Sequence, residues 1–165
     1  LAASTRAMVL DMQDTPDGAR VFVDGEDVTA AIRTPQVTAL IYKLDQNPEV
    51  RRQLVALQRR IGEARPTVAE GRDIGTVVFR KAKCKIFLDA SLDERTRRRA
   101  RQLEAQGTVP DFARLRAEIH ERDEKTRNRE DSPLRQAKDA VLVDTTGMTF
   151  EEVVETLVRI ARERL

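Results

Sequence analysis

Lys85-Ile86-Phe87-Leu88-Asp89-Ala90-Ser91-Leu92-Asp93-Glu94-Arg95 reads as a strand running straight into a helix. Ile86 to Leu88 is a near-continuous apolar run, the pattern of a strand covered on both faces. Ser91 is a good N-cap, and Glu94 three residues on completes the signature of a capping box. The same order returns near the C terminus. Val141-Leu142-Val143-Asp144 reads as a core strand, and Thr149 caps an amphipathic helix with Phe150, Val153, Val154, Leu157 and Ile160 on one face. Upstream, Val77-Val78-Phe79 is a third apolar run and is expected to be a strand. Buried-type strands alternating with helices predict an α/β layer on a parallel sheet.

Outward from this frame, the helix opened by Ser91 carries Arg95, Arg97, Arg98, Arg99 and Arg101 and should end near Gly107. Another helix is expected from about Asp111 to Arg129, stopping before Ser132-Pro133. Toward the N terminus, Asp14-Thr15-Pro16-Asp17-Gly18 and Asp24-Gly25 are turn chemistry around Val21-Phe22-Val23, which predicts a small hairpin over residues 7–24. Asp27 to Arg33 reads as a short helix or turn. Pro35 should start a helix reaching Leu44, and Pro48 another running to about Arg60, with Val50, Leu54, Leu57 and Ile61 at helical spacing. The expected division is 1–66 and 67–165.

Composition narrows the function. The 165 residues carry 30 basic and 28 acidic side chains, a net charge of +2, so no polycationic surface points to nucleic acid. Aromatic residues are 4% with no Trp, which leaves little for stacking on exposed bases. Cys84 is the single cysteine, so an internal disulfide is excluded. No run of about 18 apolar residues suggests a membrane span. The first residues carry neither a secretory signal nor an initiator Met. The expectation is a cytoplasmic monomer, and a piece of something longer. His120 on a charged helix and Cys84 before a strand read as bland, and no zinc or Ser-His-Asp spacing occurs.

Gly71-Arg72-Asp73-Ile74-Gly75-Thr76, the stretch Lys85 to Ser91, and Glu94-Arg95 together closely resemble bacterial cytidylate kinases. Matching stretches in the same order are Gly25 to Thr29 with Ile32-Arg33, Pro48 to Arg51, Glu121-Arg122-Asp123, Ser132-Pro133-Leu134 and Asp144-Thr145-Thr146. The resemblance runs from about residue 20 to the C terminus. It implies a P-loop nucleoside monophosphate kinase fold: a parallel sheet flanked by helices, with a monophosphate-binding insertion and a lid at about 100–130. It also implies transfer of the γ-phosphoryl group of ATP, with Mg2+, to CMP or dCMP. One departure is large. The chain contains no Gly-Lys dipeptide, so the loop that cradles the β- and γ-phosphates is expected to be missing, along with the strand before it, and the chain alone to be inactive.

The resemblance assigns roles residue by residue. Asp73 and Arg51 match the base-reading positions: a carboxylate suits the exocyclic amine of cytosine, a guanidinium its N3 and O2. Arg33 and Arg72 match positions that hold the CMP phosphate, and Arg129 one near the acceptor nucleotide. Arg95 is expected over the adenine, and Arg99 and Arg122 against the transferring phosphoryl group, with Asp123 supporting these arginines by pairing. From residue types alone, Arg51 would be an exposed helix charge, Asp73 a turn residue, and the arginines of 95–129 a salt-bridged solvent face. Two smaller departures bear on specificity. Tyr42 stands where well-known members carry a small hydroxyl residue near the cytosine. Thr126 replaces an Asp that in those members touches the acceptor sugar. Each exchange reads either as a lineage variation, with Tyr42 still donating through its hydroxyl, or as a loosening of the choice between ribose and deoxyribose or between cytosine and uracil. A non-catalytic nucleotide-binding module is the alternative reading.

Overall fold

The computed structural model describes residues 7–34, 36, 37, 40, 47–128 and 132–165. The helix expected from Pro35 to Leu44 falls mostly outside these residues, and Tyr42 and Arg129 fall wholly outside them. The chain divides into two compact units, Leu1–Glu70 and Gly71–Leu165.

The first unit holds a three-stranded antiparallel sheet and a long helix. β1 (Leu10–Thr15) pairs with β2 (Gly18–Val23) from Leu10 opposite Val23 to Thr15 opposite Gly18. β2 then turns back on β3 (Glu26–Asp27). The turn is Asp24-Gly25, both at positive φ (51° and 85°), the backbone that a two-residue hairpin needs to follow strand twist. Asp24 also accepts from the amide of Val9 through its carboxylate. Thr29 receives the Val21 amide on its hydroxyl, and a 3-10 turn follows over Ala31–Arg33. α1 (Pro48–Glu63) begins with Asn47 accepting from the amides of Glu49 and Val50, and with Pro48 where no amide is needed. Its apolar stripe supplies Val50, 1% exposed, and Leu57 to the core. Arg65, just past the helix, is bound to the Met12 carbonyl and to Asp14, tying the helix end to β1.

In the second unit the apolar run at Val77 is not a strand. Ile74–Val78 winds into a π-type turn, in which Phe79 donates to the Ile74 carbonyl and Val77 and Val78 both donate to that of Asp73. The burial signal was sound, since Val78 is 3% exposed, but the turn satisfies it. Lys85 closes the loop behind the turn, with its buried ammonium on the Arg80 carbonyl and on Asp139.

β4 (Ile86–Asp89) and β5 (Val141–Asp144) form the expected parallel pair, with Ile86 opposite Val141 and Asp89 opposite Asp144. Between them run α2 (Leu92–Ala105) and α3 (Phe112–Arg127). Ser91 caps α2 by accepting from the Glu94 amide. The reciprocal half of the expected capping box is not made, because the Glu94 carboxylate is engaged by Arg97 and Arg98. α2 stops where Gly107, at φ 80°, allows its own amide to reach the Glu104 carbonyl and the Thr108 amide that of Leu103. α4 (Phe150–Arg164) starts with a complete capping box between Thr149 and Glu152. Its apolar face is only partly covered: Ile160 is buried, whereas Phe150, Val154 and Val158 are exposed, as are Leu88 and Leu142 on the strands.

Candidate nucleotide site

The expected phosphate and base residues Arg72 and Asp73 stand side by side at the entry to the π-type turn, both half-buried. The turn holds Asp73 by its backbone, whose carbonyl receives Val77, Val78 and the Thr76 hydroxyl. Arg72 is held by its side chain. Its Nη1 donates to the Thr126 hydroxyl on the last turn of α3 at 2.6 Å, and that hydroxyl donates in turn to the Arg122 carbonyl at 2.7 Å. Gly71 makes the approach possible, since a Cβ there would lie 2.8 Å from the Ile74 side chain. Arg33 closes the 3-10 turn of the first unit and is exposed, and Arg51 lies half-buried in the first turn of α1.

Helices α2 and α3 are joined by two ion pairs. Arg95 binds Asp123 through Nη1 while its Nε donates to the Ala90 carbonyl, and Arg116 binds Asp93 at 2.7 Å. Asp123 thus pairs with one of the arginines it was expected to support. Arg99 donates to Gln102 on its own helix, and Arg122 is exposed. The plain reading of the charged stretch also has a share, in the surface pairs Arg114–Glu118 and Lys125–Glu121.

A second constellation lies where both strands end, and the roles read from sequence overlooked it. Arg98 donates to the Thr145 hydroxyl (3.0 Å), to the Thr145 carbonyl (2.6 Å) and to Glu94 (3.0 Å). The Thr145 hydroxyl donates to the Asp89 carbonyl, and the Thr146 hydroxyl receives the Ser91 amide. The start of α2 is thereby fastened to the loop after β5. The available signal was Glu94 and Arg98 at i,i+4 beside an Asp-Thr-Thr turn, but the partner in that turn is 47 residues away.

Several carboxylates here titrate below their ordinary values. For Glu94, burial alone would push the pKa up, but hydrogen bonds from Arg98 and Arg97 outweigh it. Asp93 is lowered by its hydrogen bond from Arg116, and Asp144 by those from the Thr146 hydroxyl and amide. Asp139 is lowered by the Lys85 ammonium. Among the described residues, no three His, Cys, Asp or Glu side chains gather where they could hold a metal ion. No helix among them is long and apolar enough to cross a membrane.

The family model described as cytidylate kinase matches residues 1–163. A cytidylate kinase of Enterococcus faecalis is 46% identical over 155 residues, covering 94% of this chain and 69% of that protein. One of Carboxydothermus hydrogenoformans is 50% identical over 144 residues, covering 87% of this chain and 65% of that protein. A bifunctional pantoate ligase/cytidylate kinase of Synechococcus elongatus is 49% identical over 158 residues, 94% of this chain and 30% of its own length. The chain therefore spans about two thirds of the single-function relatives. With a match along nearly its whole length, the chain belongs to the cytidylate kinase family.

Proposed function

We propose that this chain forms the CMP-binding and lid parts of a cytidylate kinase, transferring the γ-phosphoryl group of ATP to CMP or dCMP to give CDP or dCDP. The observation that carries the reading is the Arg72-Asp73 pair, a guanidinium held by α3 next to an aspartate whose backbone is held by a wound turn. The family match over residues 1–163 supports it. In this reading residues 1–66 are the monophosphate-binding region and 67–165 the core with its lid.

Phosphoryl transfer asks the protein for alignment and charge neutralisation and needs no protein nucleophile. Arg33 and Arg72 hold the CMP phosphate with charge-assisted bonds, which fixes the acceptor oxygen for in-line attack on the γ-phosphorus. Asp73 accepts from the cytosine amine and Arg51 donates to N3 and O2; uracil offers the opposite pattern at its N3 and O4. Tyr42 and Arg129 complete the acceptor site. Arg99 and Arg122 offset the charge that spreads over the transferring group, and Arg95 covers the adenine. Mg2+ enters with ATP. A phosphate-binding loop is also required, and this chain has no Gly-Lys to form one. The second reading is a module that binds the nucleotide without chemistry.

The test is a coupled assay of ADP release by the full-length protein. CMP and dCMP should be accepted well above UMP and AMP. Asp73→Ala should harm CMP use most, and Arg72→Ala should lower turnover with every acceptor by about a hundredfold, the cost of removing one donor aimed at developing charge. Equal use of AMP would overturn the base assignment. CMP binding by calorimetry without any turnover would establish the binding module instead.

A further inference from the structure

Thr126 is buried, 6% exposed, in the last turn of α3, and its hydroxyl both donates and accepts a hydrogen bond. A threonine hydroxyl has a single proton. Here that proton goes to the Arg122 carbonyl, and a lone pair receives Arg72 Nη1. The backbone is used as well, since the Thr126 carbonyl accepts from the Leu134 amide. This side chain therefore has no proton left to donate, and its burial leaves the remaining lone pair almost no open surface on which to meet a sugar hydroxyl. What it does hold is the guanidinium of Arg72, across 54 positions of sequence. A hydroxyl fixes the direction of that guanidinium without bringing a negative charge to it, as a carboxylate in its place would.

Building on the kinase reading above, we propose that Thr126 is a positioning residue that aims Arg72 at the acceptor phosphate. It takes no part in reading the acceptor sugar, so the choice between CMP and dCMP does not pass through this position.

The experiment compares Thr126→Val and Thr126→Ser in the full-length protein, by steady-state kinetics with CMP and with dCMP. Thr126→Val keeps the shape and removes the acceptor; kcat should fall about ten- to a hundredfold, the rate equivalent of one hydrogen bond to a charged group. The fall should be the same for both acceptors, leaving their kcat/KM ratio within twofold of wild type and the KM for ATP unmoved. Thr126→Ser, which keeps the hydroxyl, should restore most of the rate. In an Arg72→Met background, Thr126→Val should have no further effect. A merely structural residue would show none of these selective readouts. If circular dichroism finds Thr126→Val unfolded, Thr126→Ala removes the same hydroxyl without adding a methyl group and is read by the same criteria.

An active wild type whose Thr126→Val variant stays within twofold overturns the proposal, as does a changed CMP-to-dCMP ratio in that variant. A wild type that phosphorylates neither acceptor overturns the kinase reading itself, and this proposal with it.

Discussion

Thr145→Val tests the fastening between α2 and the loop after β5. Thr145 is 3% exposed, and its hydroxyl makes two hydrogen bonds, one to the Asp89 carbonyl at 2.9 Å and one from Arg98 at 3.0 Å. Valine keeps the shape and deletes both. A neutral bond contributes about 1 kcal/mol and one to a charged group about 1.5–3 kcal/mol. Neither partner is stranded, because the Asp89 carbonyl keeps the Thr145 amide and Arg98 keeps the Thr145 carbonyl and Glu94. The loss should therefore sit at the low end, about 2.5 kcal/mol. Without Trp and with a single Tyr, the protein is best followed by far-ultraviolet circular dichroism in urea. For an m-value of about 2 kcal/mol/M, the midpoint should fall by about 1 M. Paired with Arg98→Met, the cycle should leave a coupling of about 1 kcal/mol. A Thr145→Val protein within about 0.5 kcal/mol of wild type, or strict additivity with Arg98→Met, would refute the reasoning.

Other perturbations test other parts of the scaffold. Thr149→Ala breaks the capping box of α4 and should cost about 1 kcal/mol, seen as a fall in Tm of about 2–4 °C. Gly71→Ala pushes a Cβ to 2.8 Å from Ile74 and should cost about 1–3 kcal/mol while lowering turnover through Arg72; a variant with wild-type Tm and rate would show that the turn has slack. Asp93, Glu94, Asp139 and Asp144 have folded-state pKa values below their ordinary 3.8 or 4.5. The stabilisation they bring is complete above those values and is lost as pH falls through the lower folded ones. Urea midpoints should therefore hold steady from pH 7 to about 5 and drop below about 4, and Asp93→Asn should reduce the drop.

Local chemistry carried much of the fold. The hairpin around Asp24-Gly25, the Asn47-Pro48 helix start, the cap at Ser91 and the full box at Thr149 each depend on residues within a few positions of one another. Such signals survive in sequence because the interacting groups are held close by the chain itself. The parallel strands were legible for a related reason, since burial on both faces demands an unbroken apolar run. Val77 to Phe79 misled on the same ground: an apolar run reports burial and does not distinguish a strand from a tightly wound turn.

By itself, then, the sequence determined the α/β class, the parallel strand pair, the capped helices and, through its resemblance, the residues to watch. Tertiary structure decided which groups those residues hold. Arg72 meets Thr126, Arg95 meets Asp123 and Arg98 meets Thr145 across 54, 28 and 47 positions. No periodicity encodes such separations. They arise only when the second unit folds and brings α2, α3, the π-type turn and the loop after β5 within hydrogen-bond reach, where direction and distance select one acceptor among many.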